Sequence, residues 1–176
     1  MPFFHGISAY SRKKISLQDR ADIAASGNVE ICASEVALGS IGLLVSGDVS
    51  GAFSHDCLSY IGEDGRRYSH EEYEGESAPD HILNDEEELV NWIKDVRDSK
   101  GPTERSYSEI FIKVQRVDAI WVKGYASPDQ KRLAERLASR YGACSVVVIN
   151  DRHTYSWDVL SGGSFDEWDE WDDIAA

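Results

Sequence analysis

With 176 residues, the chain has room for one domain with a full core and is too short for two. Its 41% hydrophobic and 28% charged residues are those of an ordinary soluble globular protein. The net charge of -14 argues against a protein that grips nucleic-acid backbone, because phosphate contacts rely on Lys and Arg; it leaves a nucleotide-sized ligand, a basic protein partner or mimicry of DNA.

No apolar run approaches the length of about 18 residues that a membrane span needs. The N-terminus lacks the basic, apolar, small-residue order of a secretory signal. Cys32, Cys57 and Cys144 are scattered, without CxxC spacing, which is neither a disulfide framework nor a zinc site. The expectation is a cytoplasmic protein, of the producing cell or of a target cell.

In chain order, PFFHGIS (2–8) reads as a first strand and turn. Ser16, with Asp19 three residues on, resembles a capping box for a short helix that Gly27 closes. Residues 29–33 and 41–46 read as strands between Gly and Ser punctuation. The segment 48–60 (DVSGAFSHDCLSY) can begin as a helical turn, and a polar, glycine-bearing excursion follows it. Asn84 or Asp85 caps the next helix, with Leu89, Ile93 and Val96 on one face and an end near Gly101-Pro102.

The most strand-like tract comes next. Ile110, Ile112 and Val114 alternate with Phe111 and Lys113, and the pattern resumes from Val117 to Val122, as a hairpin or as one bent strand. Ser127-Pro128 with Gln130 opens a helix through Leu133, Leu137 and Tyr141, stopped by Gly142. CSVVVIN (144–150) is a continuous apolar strand. The sum is six or seven short strands and three helices, mixed rather than strictly alternating. That predicts a single α+β domain over 1–160, followed by an acidic tail over 161–176.

Two apolar runs each present one ionisable residue, His5 and Glu109, at predicted strand ends. Phe4-His5-Gly6-Ile7-Ser8 is similar to a strand ending in His-Gly-(Ser/Thr). LGSIGLLVSGDVSGAF (38–53) resembles a glycine-led strand followed by a helix bearing Ser, Ala and an aromatic. Ser108-Glu109-Ile110-Phe111-Ile112, continuing to Val122, looks like a catalytic-glutamate strand and its successor. In that order the three pieces, about half the chain, resemble the ADP-ribosyltransferase superfamily on its histidine-containing branch, the diphtheria toxin and poly(ADP-ribose) polymerase type.

The resemblance implies a split mixed β-sheet core with flanking helices, NAD as cofactor and donor, and mono-ADP-ribosylation of a macromolecular target by a toxin, effector or phage anti-defence protein. It implies that His5 and Glu109 are catalytic. His5 would hydrogen-bond the adenosine-side or nicotinamide-side ribose. Gly6 would offer its backbone to the carboxamide, Phe53 would stack on the nicotinamide ring, and Ser8 would complete the His-Gly-Ser motif. Glu109 would hold the 2′-hydroxyl of the nicotinamide ribose, where a carboxylate stabilises the oxocarbenium-like charge that grows as the bond to nicotinamide breaks. Where the family often carries a tyrosine this chain has Leu44, a gap that Tyr10, Tyr60 or Tyr68 would have to fill. Tyr107 stands where relatives that modify arginine or asparagine carry Glu or Gln, so the acceptor stays open. The tRNA 2′-phosphotransferases share the fold, but they need basic residues that this surface lacks.

Other motifs carry less. His55-Asp56-Cys57 brings a histidine near a thiol without an orienting acid or oxyanion hole, and Cys57 reads as a small buried hydrophobe. His55, His70 and His81 have no ligand spacing, and no metal is expected. The charge supports a rival from another class: a non-enzymatic acidic inhibitor of the immunity, anti-defence or DNA-mimic type, bound to a protein with a basic surface. Between residues 63 and 98, thirteen Asp and Glu face four Lys and Arg, and no basic residue follows Arg152. Phe165, Trp168 and Trp171 recur every three residues among the last acids, a pattern that packs on the domain or contacts a basic partner.

Overall fold

The computed structural model describes residues 2–8, 15–57, 59–61, 67–69, 76–100, 106–142 and 145–149, with backbone alone for 54–57, 59–61, 67–69, 97–100 and 106–107. Tyr10 and the tail 161–176 lie outside the described residues, as do the side chains of Tyr60, Tyr68, His55, Cys57 and Tyr107.

Two long strands organise everything else. β3 (Ile41–Cys57) and β7 (Ser106–Lys123) run antiparallel along their whole length, from Ile41 opposite Val122 to Cys57 opposite Ser106. The register shifts four times, at Leu44/Val45, Ser46/Gly47, Val49/Gly51 and Phe53/Asp56. Each such bulge bends the strand and increases its twist.

β1 (Phe3–Gly6) lines the free edge of β3, with Phe3 opposite Val45 and Gly6 opposite Gly42. β2 (Glu30–Ser34) lines the free edge of β7, from Glu30 opposite Lys113 to Ser34 opposite Glu109. One pair, Phe4 with Ser34, then joins β1 to β2. Strands β1, β2, β7 and β3 therefore form a closed ring of pairings. β6 (Glu76–Ser77) continues the edge of β3, and β8 (Ser145–Ile149) lies parallel to the last turn-ward stretch of β7 after the α3 crossover. A separate hairpin pairs β4 (Ser59–Ile61) with β5 (Arg67–Ser69).

The helices start where their caps allow. The Ser16 hydroxyl accepts the Asp19 N–H at 3.1 Å and opens α1 (Leu17–Ala25); Gly27, at φ 65°, closes it. Asp85 accepts the Glu88 N–H at 3.0 Å and opens α2 (Glu86–Lys100), whose first turn holds three Glu that favour the positive end of the helix dipole. Asn84 clamps β3 instead, accepting the Val49 N–H at 2.9 Å and donating to the Val49 carbonyl at 3.1 Å. Ser127 and Gln130 complete a full capping box on α3 (Pro128–Arg140).

All three helices pack on one side of the ribbon. Ala21, Ala24, Leu89, Ile93, Leu133, Ala134 and Leu137 meet Leu43, Val45, Ile110, Ile112 and Ile120 there. Phe4, Ala37, Leu44, Ala119, Trp121 and Ile149 form a smaller cluster that faces away. In it the Phe4 and Trp121 rings meet edge to face at 5.9 Å, and the Trp121 indole donates to the Leu43 carbonyl. Asp22 ties α1 to α3, accepting two bonds from Arg140 at 2.8 and 3.0 Å and one from the Tyr141 hydroxyl at 2.6 Å. The Arg140 bonds, then that of Tyr141, hold the Asp22 carboxyl below its usual range.

The fold is α+β, as the sequence predicts, with a mixed six-stranded sheet. One expectation is corrected. Residues 48–57 form strand, not a helical turn, so the helix of the second resemblance piece is not there. Ser50, Gly51 and Ser54 are poor helix formers, and Val49 and Ala52 are buried in the sheet's core face. Of the two alternatives for the tract 106–123, a hairpin or one bent strand, the structure has the single bent strand, because β3 is its partner along its length. Among the described residues no helix is long and apolar enough to cross a membrane.

Gly42 is where the ribbon is tightest. A Cβ there would stand 2.1 Å from the His5 carbonyl oxygen and 2.5 Å from the Trp121 ring. Gly42→Ala should cost about 1–3 kcal/mol through overpacking. Thermal unfolding should therefore begin several degrees lower, and an unchanged melting temperature would contradict the packing described.

Candidate functional site

The alternation of β7 divides its side chains between two environments. Ile110, Ile112 and Val114 are buried against the helices, whereas Glu109, Phe111 and Lys113 point the other way. Directly paired residues on neighbouring strands share a face, so β2 and β3 extend the outward set. Three rows result: Glu30, Lys113 and Asp48; Cys32, Phe111 and Gly51; Ser34, Glu109 and Phe53.

The middle of this face is open. Phe111 keeps 37% of its surface in solvent, and Cys32 is exposed beside it. A Cβ built on Gly51 would sit 3.5 Å from Cδ2 of Phe111, so the ring reaches over the bare backbone of the neighbouring strand. Ser50, at the bulge, donates to the Glu30 carboxylate, and Gln115 donates to Asp48 at 2.8 Å. Glu30, Asp48 and Glu109 therefore stand in the rows on either side of the exposed Phe111, with Lys113 beside the first two.

The residues implied by the resemblance divide between the two sides. Phe4 pairs with Ser34, and Ser34 with Glu109, so these three share the outward face. His5, one residue on from Phe4, points to the helix side and is paired with buried Leu43. Glu109 and Phe53 are brought together as direct cross-strand neighbours; His5 is not brought to them.

His5 is held by its own surroundings. Nδ1 lies 2.7 Å from the Cys32 carbonyl oxygen, which makes that nitrogen the protonated donor and leaves Nε2 as the acceptor. Burial pushes the imidazole pKa down, and the bond to Cys32 only partly opposes it. The Ser8 hydroxyl accepts the Ser40 N–H at 2.8 Å and the Ile41 N–H at 3.3 Å, so it fixes the turn into β3. Gly6 stands opposite Gly42 in the ladder.

Sequence reasoning missed two buried ionisable groups. Glu35, 3% exposed, accepts the Ser108 N–H with both carboxylate oxygens at 2.8 Å, and so pins the end of β2 to the start of β7. Nothing in Ser34-Glu35-Val36 marks it out beforehand. Lys123, 2% exposed, is in phase with Ala119 and Trp121 on the smaller cluster. Its place at the end of an apolar alternation was the available signal. Among the described residues no three His, Cys, Asp or Glu side chains converge as a metal-holding group.

The neutral state of His5 has a consequence for pH dependence. Above the unfolded pKa of about 6.5 the imidazole is neutral in both states and costs nothing. As pH falls below it, the unfolded chain takes up a proton that the folded site resists, so stability drops. The denaturant midpoint should therefore fall more steeply between pH 7 and 5.5 for the wild type than for His5→Gln. Parallel profiles would show that His5 is not held neutral by the fold. Comparison with family models, with curated proteins and with solved structures finds no match to this chain in any of the three.

Proposed function

We propose that this chain is a non-enzymatic acidic binding protein that docks onto a basic surface of another protein through the open face of β2, β7 and β3. The observation that carries this reading is the division of His5 from Glu109 by the sheet. Glu109 stands with Glu30, Asp48, Phe53 and Phe111, a carboxylate-rimmed aromatic surface, while His5 is packed on the helix side. Exposed aromatics surrounded by polar rims are the usual anchors of protein interfaces. The net charge of -14 adds long-range attraction for a basic partner, which speeds and orients encounter.

A second reading keeps one observation in its favour. Phe53 directly opposite Glu109 is an aromatic beside a carboxylate, the pair that the resemblance assigns to the nicotinamide and its ribose. Mono-ADP-ribosyl transfer from NAD then needs another group in place of His5.

One experiment separates the two. The tagged protein and its Glu30→Lys/Glu109→Lys variant are used to capture partners from lysate across a salt series, with labelled NAD added to parallel samples of wild type and Glu109→Gln. The binding reading expects a basic partner retained by wild type, lost steeply with salt, and recovered about tenfold less by the double reversal. It also expects no NAD-derived label on any protein. Label transferred by wild type and not by Glu109→Gln would establish the transferase instead.

A further inference from the structure

We infer that the open face selects an arginine side chain of its partner, with the guanidinium laid on the Phe111 ring and its N–H groups directed to the surrounding carboxylates. This rests on the binding reading above and names the chemistry that the face recognises.

Three features point to a guanidinium rather than to an apolar side chain or an ammonium. The central group is a phenyl ring with 37% of its surface in solvent, and a cation over such a ring is attracted by its negative face. Glu30, Asp48 and Glu109 stand in the rows adjacent to that ring on the same three strands. At sheet spacings their backbones are about 5–8 Å from that of Phe111. That is the reach of a planar fork carrying five donors, which can stack and hydrogen-bond to carboxylates at the same time, whereas a compact ammonium cannot stack. Gly51, finally, carries no side chain to push the ring off the neighbouring strand or to cover it.

The Glu30 carboxylate keeps acceptor capacity after the Ser50 bond, since an ionised carboxylate has about four acceptor positions. Among the described residues of these three rows, Lys113 opposes an incoming cation. It stands between Glu30 and Asp48 in the outermost row, two residues from Phe111. Its position sets a sign that a merely structural role for this face would not give: removing the Lys113 charge should tighten binding.

The test uses the purified full chain and two fluorescent ten-residue peptides, one alternating Arg with Gly and one alternating Lys with Gly, with affinities read by anisotropy at fixed salt. Wild type should bind the Arg peptide tighter than the Lys peptide, by up to about five-fold, because an ammonium is also drawn to the ring but neither stacks on it nor presents a planar fork. Phe111→Leu keeps apolar area and should remove that preference. Lys113→Ala should tighten the Arg peptide, and Tyr125→Leu, a 71% exposed aromatic in the turn after β7 and outside these three rows, should change nothing.

Equal affinity of wild type for the two peptides would overturn the inference, as would an unchanged preference in Phe111→Leu or an equal loss in Tyr125→Leu. The variant pair Glu30→Lys/Asp48→Lys separates this failure from failure of the binding reading. Weakening by that pair with no effect of Phe111→Leu leaves the acidic face as a docking surface and removes the arginine. No effect of either removes both.

Discussion

The two-residue period of β7, held in register by β3, decides which groups of this protein can meet. A slip of one residue would exchange Ile110, Ile112 and Val114 for Glu109, Phe111 and Lys113 against the helices. Burying two charges without partners costs far more than any local preference contributes, so the register is strongly specified. The buried carboxylate of Glu35 on the Ser108 N–H adds a polar lock to the apolar one at the same end of the strand. From this register follow the covered side, the open side, and the membership of each.

Charge is distributed unevenly over the frame. The described stretch 76–96 is rich in exposed carboxylates, which α2 absorbs partly at its own first turn. Among the described residues, Lys113 and Arg116 are exposed on β7 and four more exposed cations lie on α3, where Arg132 pairs with Asp129, Arg140 with Asp22, and Lys131 donates to the Gly124 carbonyl at 2.9 Å. Arg140 and Lys131 thus hold α3 to its own domain, while the Arg132 pair stays within the helix. The open sheet face is left with a negative balance, and that polarity is what a basic partner would read.

The parts of the fold set by local rules were legible in the residues. The caps at Ser16 and Ser127, the stops at Gly27 and Gly142, and the alternation through Ile110, Ile112 and Val114 are short-range signals with a physical cause. Strand length was not legible. Ser46 to Ser54 contains little apolar periodicity, and it becomes strand because β7 supplies a partner from more than fifty residues away. The relation of His5 to Glu109 was hidden for the same reason. Each lies near the end of its strand as expected, but the face that each side chain takes depends on a chain of pairings through Ser34. No spacing along the sequence encodes that parity.

The seam between β1 and β2 is one residue pair wide, whereas β3 and β7 share fourteen. The circuit of strands therefore has a designated place to come apart. Opening that pair and the His5–Cys32 bond beside it would break the loop of pairings, yet leave β1 on β3 and the long ribbon with its helices standing. The carboxylate-and-phenyl surface, carried wholly by the other strands, would outlast that event and keep its geometry.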